Sequence, residues 1–173
     1  MKIENIIEAK TRSEWREWLT KNHKRQFFCW VEIGGELSYL NAVEEALCFG
    51  WIDSTKVKGF QRFSPRTKKS NWTELNRERV RRLEKLGKMT EAGRVVVPTA
   101  EFEIRSEILE AINNCPETKK NFENLPELYK KIKIDNIQSQ FGTETFNTRL
   151  QKFLENTKQN KLYGQWNDGG RLL

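Results

Sequence analysis

Ala46-Leu47-Cys48-Phe49-Gly50-Trp51-Ile52-Asp53-Ser54 is the stretch whose reading decides the fold. Upstream of it, Ala42, Val43, Ala46 and Leu47 recur at helical spacing, which gives a short helix one apolar face. Ser38 or Asn41 can cap its start, and Asn41 has Glu44 three residues on, the spacing of a capping box. Gly50 supplies the stop, because glycine alone takes the left-handed C′ conformation without a Cβ penalty. Trp51 and Ile52 then open an extended run over 51–57, Lys58-Gly59 turns it, and 60–63 returns as a second strand. Phe60 and Phe63 break strict alternation, which predicts a bulge or a short strand. Pro65 brings no amide hydrogen and is expected to end the pairing.

Outward from this hairpin, Thr11 and Glu14 have capping-box spacing, and Trp15, Trp18 and Leu19 share one face of a helix over 12–21. The aromatic, β-branched run 27–33 reads as a strand buried on both sides, closed by the turn Gly34-Gly35. After Trp72, Thr73 can cap a helix with Leu75, Leu83 and Leu86 on its apolar face and Val80 beside it; Gly87 stops it. Thr90 starts another short helix. Residues 98–103 read as a connector. The rest is helical in pattern: Ile104, Ile108, Leu109 and Ile112 on one face, Pro116 and Pro126 as helix starts, and Phe146, Leu150, Phe153 and Leu154 at i, i+4, i+7 and i+8. The polar tail is loose unless Trp166 docks. The expected fold is α+β, a small antiparallel sheet packed against helices over 1–100, with a helical C-terminal module over 101–173.

Charge is unevenly placed. Residues 56–94 hold 13 Lys/Arg against 4 Asp/Glu, while the whole chain of 173 residues carries +7, so the rest is slightly acidic. Two readings follow. Arg and Lys beside Phe60, Phe63 and Trp72 could meet phosphates and stacked bases, with Lys68, Lys69, Arg77, Arg79, Arg81 and Arg82 as the contacts; the plain alternative is a solvated helix face over core aromatics. No helix-turn-helix, RNP string or zinc-finger spacing supports specific nucleic-acid recognition.

The second candidate site gathers Trp51, Asp53, Arg62, Arg66, Ser70, Trp72 and Asn76. Asp53 and Arg66 sit on opposite arms of the hairpin. They either form a structural ion pair beside Trp51 or face an anionic ligand or acidic partner in a polar pocket. An enzyme would have to be built on these same residues, but no nucleophile with an adjacent base stands out, and no catalytic residue is assigned. His23, the lone histidine, ends the first helix between cationic neighbours, a capping position rather than a catalytic one. Glu44 and Glu45 are adjacent and diverge on a helix, so they make a poor acid/base pair, with Glu45 facing solvent. Phosphate-loop, dinucleotide and Cys/His zinc spacings are absent from the sequence, and neither metal nor cofactor is expected.

Three cysteines without a Cys-x-x-Cys pair read as reduced thiols, with Cys29 and Cys48 in apolar surroundings. The first ten residues lack an apolar signal-like run, and no segment approaches the length of a membrane helix, so the expected compartment is the cytoplasm.

The string 46–54, Ser64-Pro65-Arg66, Ser70-Asn71-Trp72 with Asn76, and Gly87-Lys88-Met89-Thr90 with Gly93 resemble the YdeI/OmdA family. Its members are described as bacteriocin-protection or OmpD-associated proteins. The resemblance is densest over 37–93 and sparser in the C-terminal part, at Ile108-Leu109, Phe122, Tyr129 and Ile137. It departs at 139–149, where Phe141-Gly142-Thr143 replaces an Ala/Lys-rich link and Arg149 is kept. The resemblance implies a bacterial stress or protection protein and supplies no catalytic residues.

Overall fold

The computed structural model covers residues 3–173. The chain divides into two compact units, Met1–Trp72 with Asn76–Thr99, and Thr73–Leu75 with Ala100–Leu173.

The first unit runs β1 (Ile6–Ile7), α1 (Arg12–Asn22), β2 (Cys29–Glu32), α2 (Tyr39–Cys48), β3 (Trp51–Val57), β4 (Phe60–Pro65), most of α3 (Glu74–Lys85) and α4 (Glu91–Arg94). Thr11 caps α1 with the full reciprocal box to Glu14. Ser38, not Asn41, caps α2, its hydroxyl accepting from the Asn41 amide. The sheet order is β1-β2-β4-β3. β4 pairs antiparallel with both β2 and β3, but β1 runs parallel to β2, so the sheet is mixed rather than purely antiparallel. The bulge lies on β3, between Asp53 and Lys56. Pro65 still sits opposite Trp51 as the last residue of β4. β2 is shorter than the aromatic run suggests: Phe27 lies outside it and is 87% exposed.

Between α1, α2 and the sheet lies a core of indole rings. Trp15 contacts Phe63 at 5.2 Å and stacks on Trp18 at 5.4 Å, and Trp18 meets Trp51 edge-on at 5.8 Å. Trp72 packs against the same cluster. The buried indole N–H groups are satisfied, Trp15 donating to the Ala42 carbonyl and Trp51 to that of His23. On α3, Val80 and Leu83 join this core while Leu86 is exposed, the reverse of the expected weighting of Leu86 and Val80.

Two devices lock α2 in place. Its C-terminal end is touched directly by α4: the Cys48 carbonyl accepts from the amide and hydroxyl of Thr90, and a Cβ built on Gly93 would lie 2.3 Å from that carbonyl oxygen. Gly50, at φ +73°, faces the Ala92 carbonyl oxygen, which would lie 2.6 Å from a built Cβ. The other device is ionic. Glu45, expected to face solvent, is buried, and so is Glu44 beside it. Arg12 reaches Glu45 at 2.6 Å and Glu44 at 2.8 Å, Arg16 reaches Glu45 at 2.5 Å, and Arg82 reaches Glu44 at 3.0 Å. Burial alone pulls the Arg12 and Arg16 guanidiniums down, and the carboxylates reverse it, leaving both above their ordinary value.

The second unit is helical: α5 (Ser106–Asn113), α6 (Pro116–Asn124), α7 (Glu127–Gln138) and α8 (Glu144–Lys158). Pro116 holds the first turn of α6, where a missing N–H costs nothing, and Pro126 precedes α7. Ile108, Ile112, Tyr129, Ile134, Phe146, Leu150 and Phe153 form the core. Trp166 docks there, edge-on to Tyr129 at 5.5 Å, so the tail is anchored. No helix among the described residues is long and apolar enough to cross a membrane.

All three thiols are free, Cys29 and Cys48 buried, Cys115 partly exposed at the start of α6. Burial pushes the Cys29 thiol well up and the Cys48 thiol up to about 11, whereas hydrogen bonding from the Thr118 side chain, with the amides of the first turn of α6, draws Cys115 down. A thiol reagent at pH 7 is therefore expected to label one cysteine in the native protein and three in denaturant. The native labelling rate should level off at a lower pH than that of a free thiol. Loss of native labelling in Cys115→Ser checks the assignment.

Candidate functional site around Arg66

The site begins where β4 ends. The Arg66 amide donates to the Gly50 carbonyl at 2.8 Å, one position beyond the Pro65–Trp51 pair. The chain then makes a tight turn: the Ser70 hydroxyl accepts from the Thr67 amide at 2.9 Å, and the Ser70 amide donates to the Thr67 carbonyl at 3.0 Å. Small hydroxyl residues close such turns through their own backbone. This one returns Asn71 and Trp72 onto Arg66. Arg66 Nη1 donates to the Asn71 carbonyl at 2.9 Å, and the guanidinium carbon lies 3.8 Å from the centre of the Trp72 ring.

Arg66 is buried, 7% exposed, yet its Nε and Nη2 have no hydrogen-bond partner. Burial pushes its pKa down to about 10, opposed by the nearby charge of Asp53, so it remains cationic at neutral pH. Arg12 also leaves one nitrogen without a partner, but Glu44 and Glu45 meet its charge. Arg66 has no carboxylate within ion-pair distance. An unneutralised buried charge costs several kcal/mol in general, and the Trp72 face returns about 1–2 kcal/mol of that. Such a group calls for an explanation.

Asp53, on β3, is half-buried and accepts from the Tyr39 hydroxyl at 2.7 Å instead of pairing with Arg66. Of the two expected arrangements, the direct ion pair between Asp53 and Arg66 is not formed. Tyr39 escaped the sequence reading: it opens α2, and only the return of β3 beneath that helix brings it to Asp53.

The remaining candidates separate. Trp51 is a core ring with its N–H satisfied. Arg62 pairs in register with Trp30, one position from Phe63 and Asp53, and so lies on the other face of the sheet. There it covers the Phe28 ring at 4.7 Å. Ser70 serves the turn just described. The Asn76 side chain accepts from Arg79 at 2.8 Å. Among the basic residues, Arg79 is buried, Arg77 donates to the Pro98 carbonyl, Arg81 pairs with Glu78 and Arg82 with Glu44. Lys68 and Lys69 stand exposed on the turn. The arginine series is thus largely spent on holding α3, which leaves little of a continuous cationic face.

Among the described residues no cluster of three or more His, Cys, Asp or Glu could hold a metal ion. What the site offers is a buried cation over an indole ring, with the Nε/Nη2 edge unpartnered.

Residues 101–160 match the family model described as Bacteriocin-protection, YdeI or OmpD-Associated. Residues 7–96 match a model described as Domain of unknown function (DUF8412). The YdeI/OmdA match therefore lies on the C-terminal part, where the resemblance is sparser, while the denser stretch 37–93 falls within the other model. No curated protein and no solved structure matches.

Proposed function

The chain belongs to the DUF8412 family through residues 7–96, and its residues 101–160 match the YdeI/OmdA model; from that premise we propose a noncatalytic binding protein that takes an anionic ligand or acidic partner at Arg66. One observation carries the reading: a buried guanidinium whose Nε and Nη2 have no partner and whose charge no carboxylate neutralises. An oxyanion seated there replaces the missing acceptors by charge-assisted hydrogen bonds, about twice as strong as neutral ones. The net charge of +7 favours the approach of anions and repels cationic peptides, so any protective role works through an acidic or anionic target rather than by sequestering a cationic toxin. Protection as a cellular role follows the family description, and the cytoplasm is the proposed compartment.

The test uses thermal midpoints at fixed ionic strength, with acetate or phosphate replacing chloride. Binding to the folded state stabilises it by about 1.4 kcal/mol at ten times Kd. The midpoint of the wild-type protein is expected to rise, and that of Arg66→Met is not. Without anion, Arg66→Met should be at least as stable as wild type, because it removes an unneutralised buried charge. An equal rise in both proteins contradicts the proposal.

A further inference from the structure

We infer that the first unit holds a second binding site at its lone histidine, a cavity that takes a small neutral aromatic with one O–H donor, a phenol, whose hydroxyl donates to His23 Nε2.

The cavity, of about 580 Å³, opens where the last turn of α1, the end of α2 and the start of α4 meet. That volume falls within the range of small-molecule sites, about 300–1,000 Å³. Phe49, Ala92 and Val95 give it an apolar lining. Val95 is 69% exposed, so apolar surface is left there for a ligand to cover. The Phe49 ring lies 5.2 Å from the imidazole and tilted to it, and the Arg16 guanidinium holds it at 5.3 Å. On the other side the wall is fixed by the close approach of α4 to Cys48 and Gly50.

Most polar groups of the lining are already committed. The Thr20 hydroxyl donates to the Arg16 carbonyl at 2.8 Å, and that of Thr90 to the Cys48 carbonyl at 2.6 Å. Lys24 and Glu91 are exposed and opposite in charge, so together they favour neither an anion nor a cation. His23 differs. Its Nδ1 lies 2.8 Å from the Leu19 carbonyl. A carbonyl only accepts, so Nδ1 holds the proton, and the neutral ring presents Nε2 as an acceptor. Among the described residues Nε2 has no partner, and the residue is half-buried rather than sealed. One fixed acceptor beside an apolar, ring-lined wall selects a neutral aromatic donor. None of the lining residues belongs to the Arg66 site.

The experiment titrates the full-length protein with 4-fluorophenol and with its isostere 4-fluorotoluene, followed by fluorine resonance at pH 8, where a phenol keeps its proton. The phenol is expected to bind about five-fold tighter, the net value of one hydrogen bond. The Nε2 resonance, unique because the chain has one histidine, should shift with the phenol to the same saturation point and stay unmoved by the toluene. His23→Phe should erase the advantage of the phenol and keep toluene binding, and Val95→Asp should weaken both alike. If His23→Phe does not fold, the Nε2 titration of the wild-type protein decides. Equal affinities, no binding of either probe, or an Nε2 resonance that ignores the phenol would overturn the inference. Arg66→Met should bind both probes as the wild type does, so failure here leaves the anion reading standing.

Discussion

Gly93→Ala is expected to lower the thermal midpoint of the first unit by roughly 10–20 °C, a loss of about 3 kcal/mol. Alanine is ordinarily the better helix residue, and Gly93 sits inside α4 with an ordinary helical φ, so propensity alone would make this substitution stabilising. Crowding reverses the sign. The new methyl would lie 2.3 Å from the Cys48 carbonyl oxygen and 2.8 Å from that of Leu47, both backbone atoms fixed at the end of α2. Neither can rotate away, so α4 must lift and the Thr90 bonds to Cys48 lengthen. Gly87→Ala is the control. Its φ of +65° strains any side chain, but no atom lies within 4 Å, so the cost should stop at about 1 kcal/mol. Tryptophan emission reads the result well, because five of the six indoles lie in the first unit. A Gly93→Ala midpoint equal to that of the wild type would refute the close approach of α4 to α2.

Glu45→Ala should cost roughly 2–3 kcal/mol. The carboxylate is buried and receives Arg12 and Arg16 at 2.6 and 2.5 Å, so its removal leaves two guanidiniums short of a partner. The figure sits at or below the low end for a broken buried pair because Arg12 and Arg16 keep 26% and 36% of their side-chain exposure and can recruit water. Glu44 still holds Arg12 and Arg82, so the loss is expected to grow more than additively in Glu44→Ala/Glu45→Ala, the mark of one network. Urea unfolding of both single variants and the double variant measures this; strictly additive losses would mean two independent pairs.

The parts of this fold that were legible in the sequence are those written locally. The stop at Gly50, the turn at Lys58-Gly59, the capping box at Thr11 and Glu14, and the proline-started helices α6 and α7 each depend on residues within a turn of one another. β1 has two residues and no pattern to read, and it alone makes the sheet mixed. Phe27 extends an aromatic run, but its position beyond the pairing of β2 leaves it in solvent, and residue type cannot mark that limit. Glu44 and Glu45 diverge as adjacent helical residues should. Their burial comes from Arg12 and Arg16, 29 to 33 positions away, and Arg82, 38 away, which no periodicity announces.

The site divides the same way. Arg66, Asn71 and Trp72 come together across a six-residue turn whose Thr67 and Ser70 were available to be read. Arg62 could have been set apart from Asp53 by strand alternation once Phe63 was placed inward. Tyr39 required the tertiary packing of α2 over β3.

The most direct measurement of the central claim is the nitrogen–proton resonance of Arg66 Nε, assigned by its loss in Arg66→Lys. Addition of acetate should move that resonance downfield in a saturable way, while Arg62 Nε, beside the Phe28 ring, stays in place. An Arg66 resonance that does not move, or that moves only in step with the exposed arginines, would contradict an anion site at this residue.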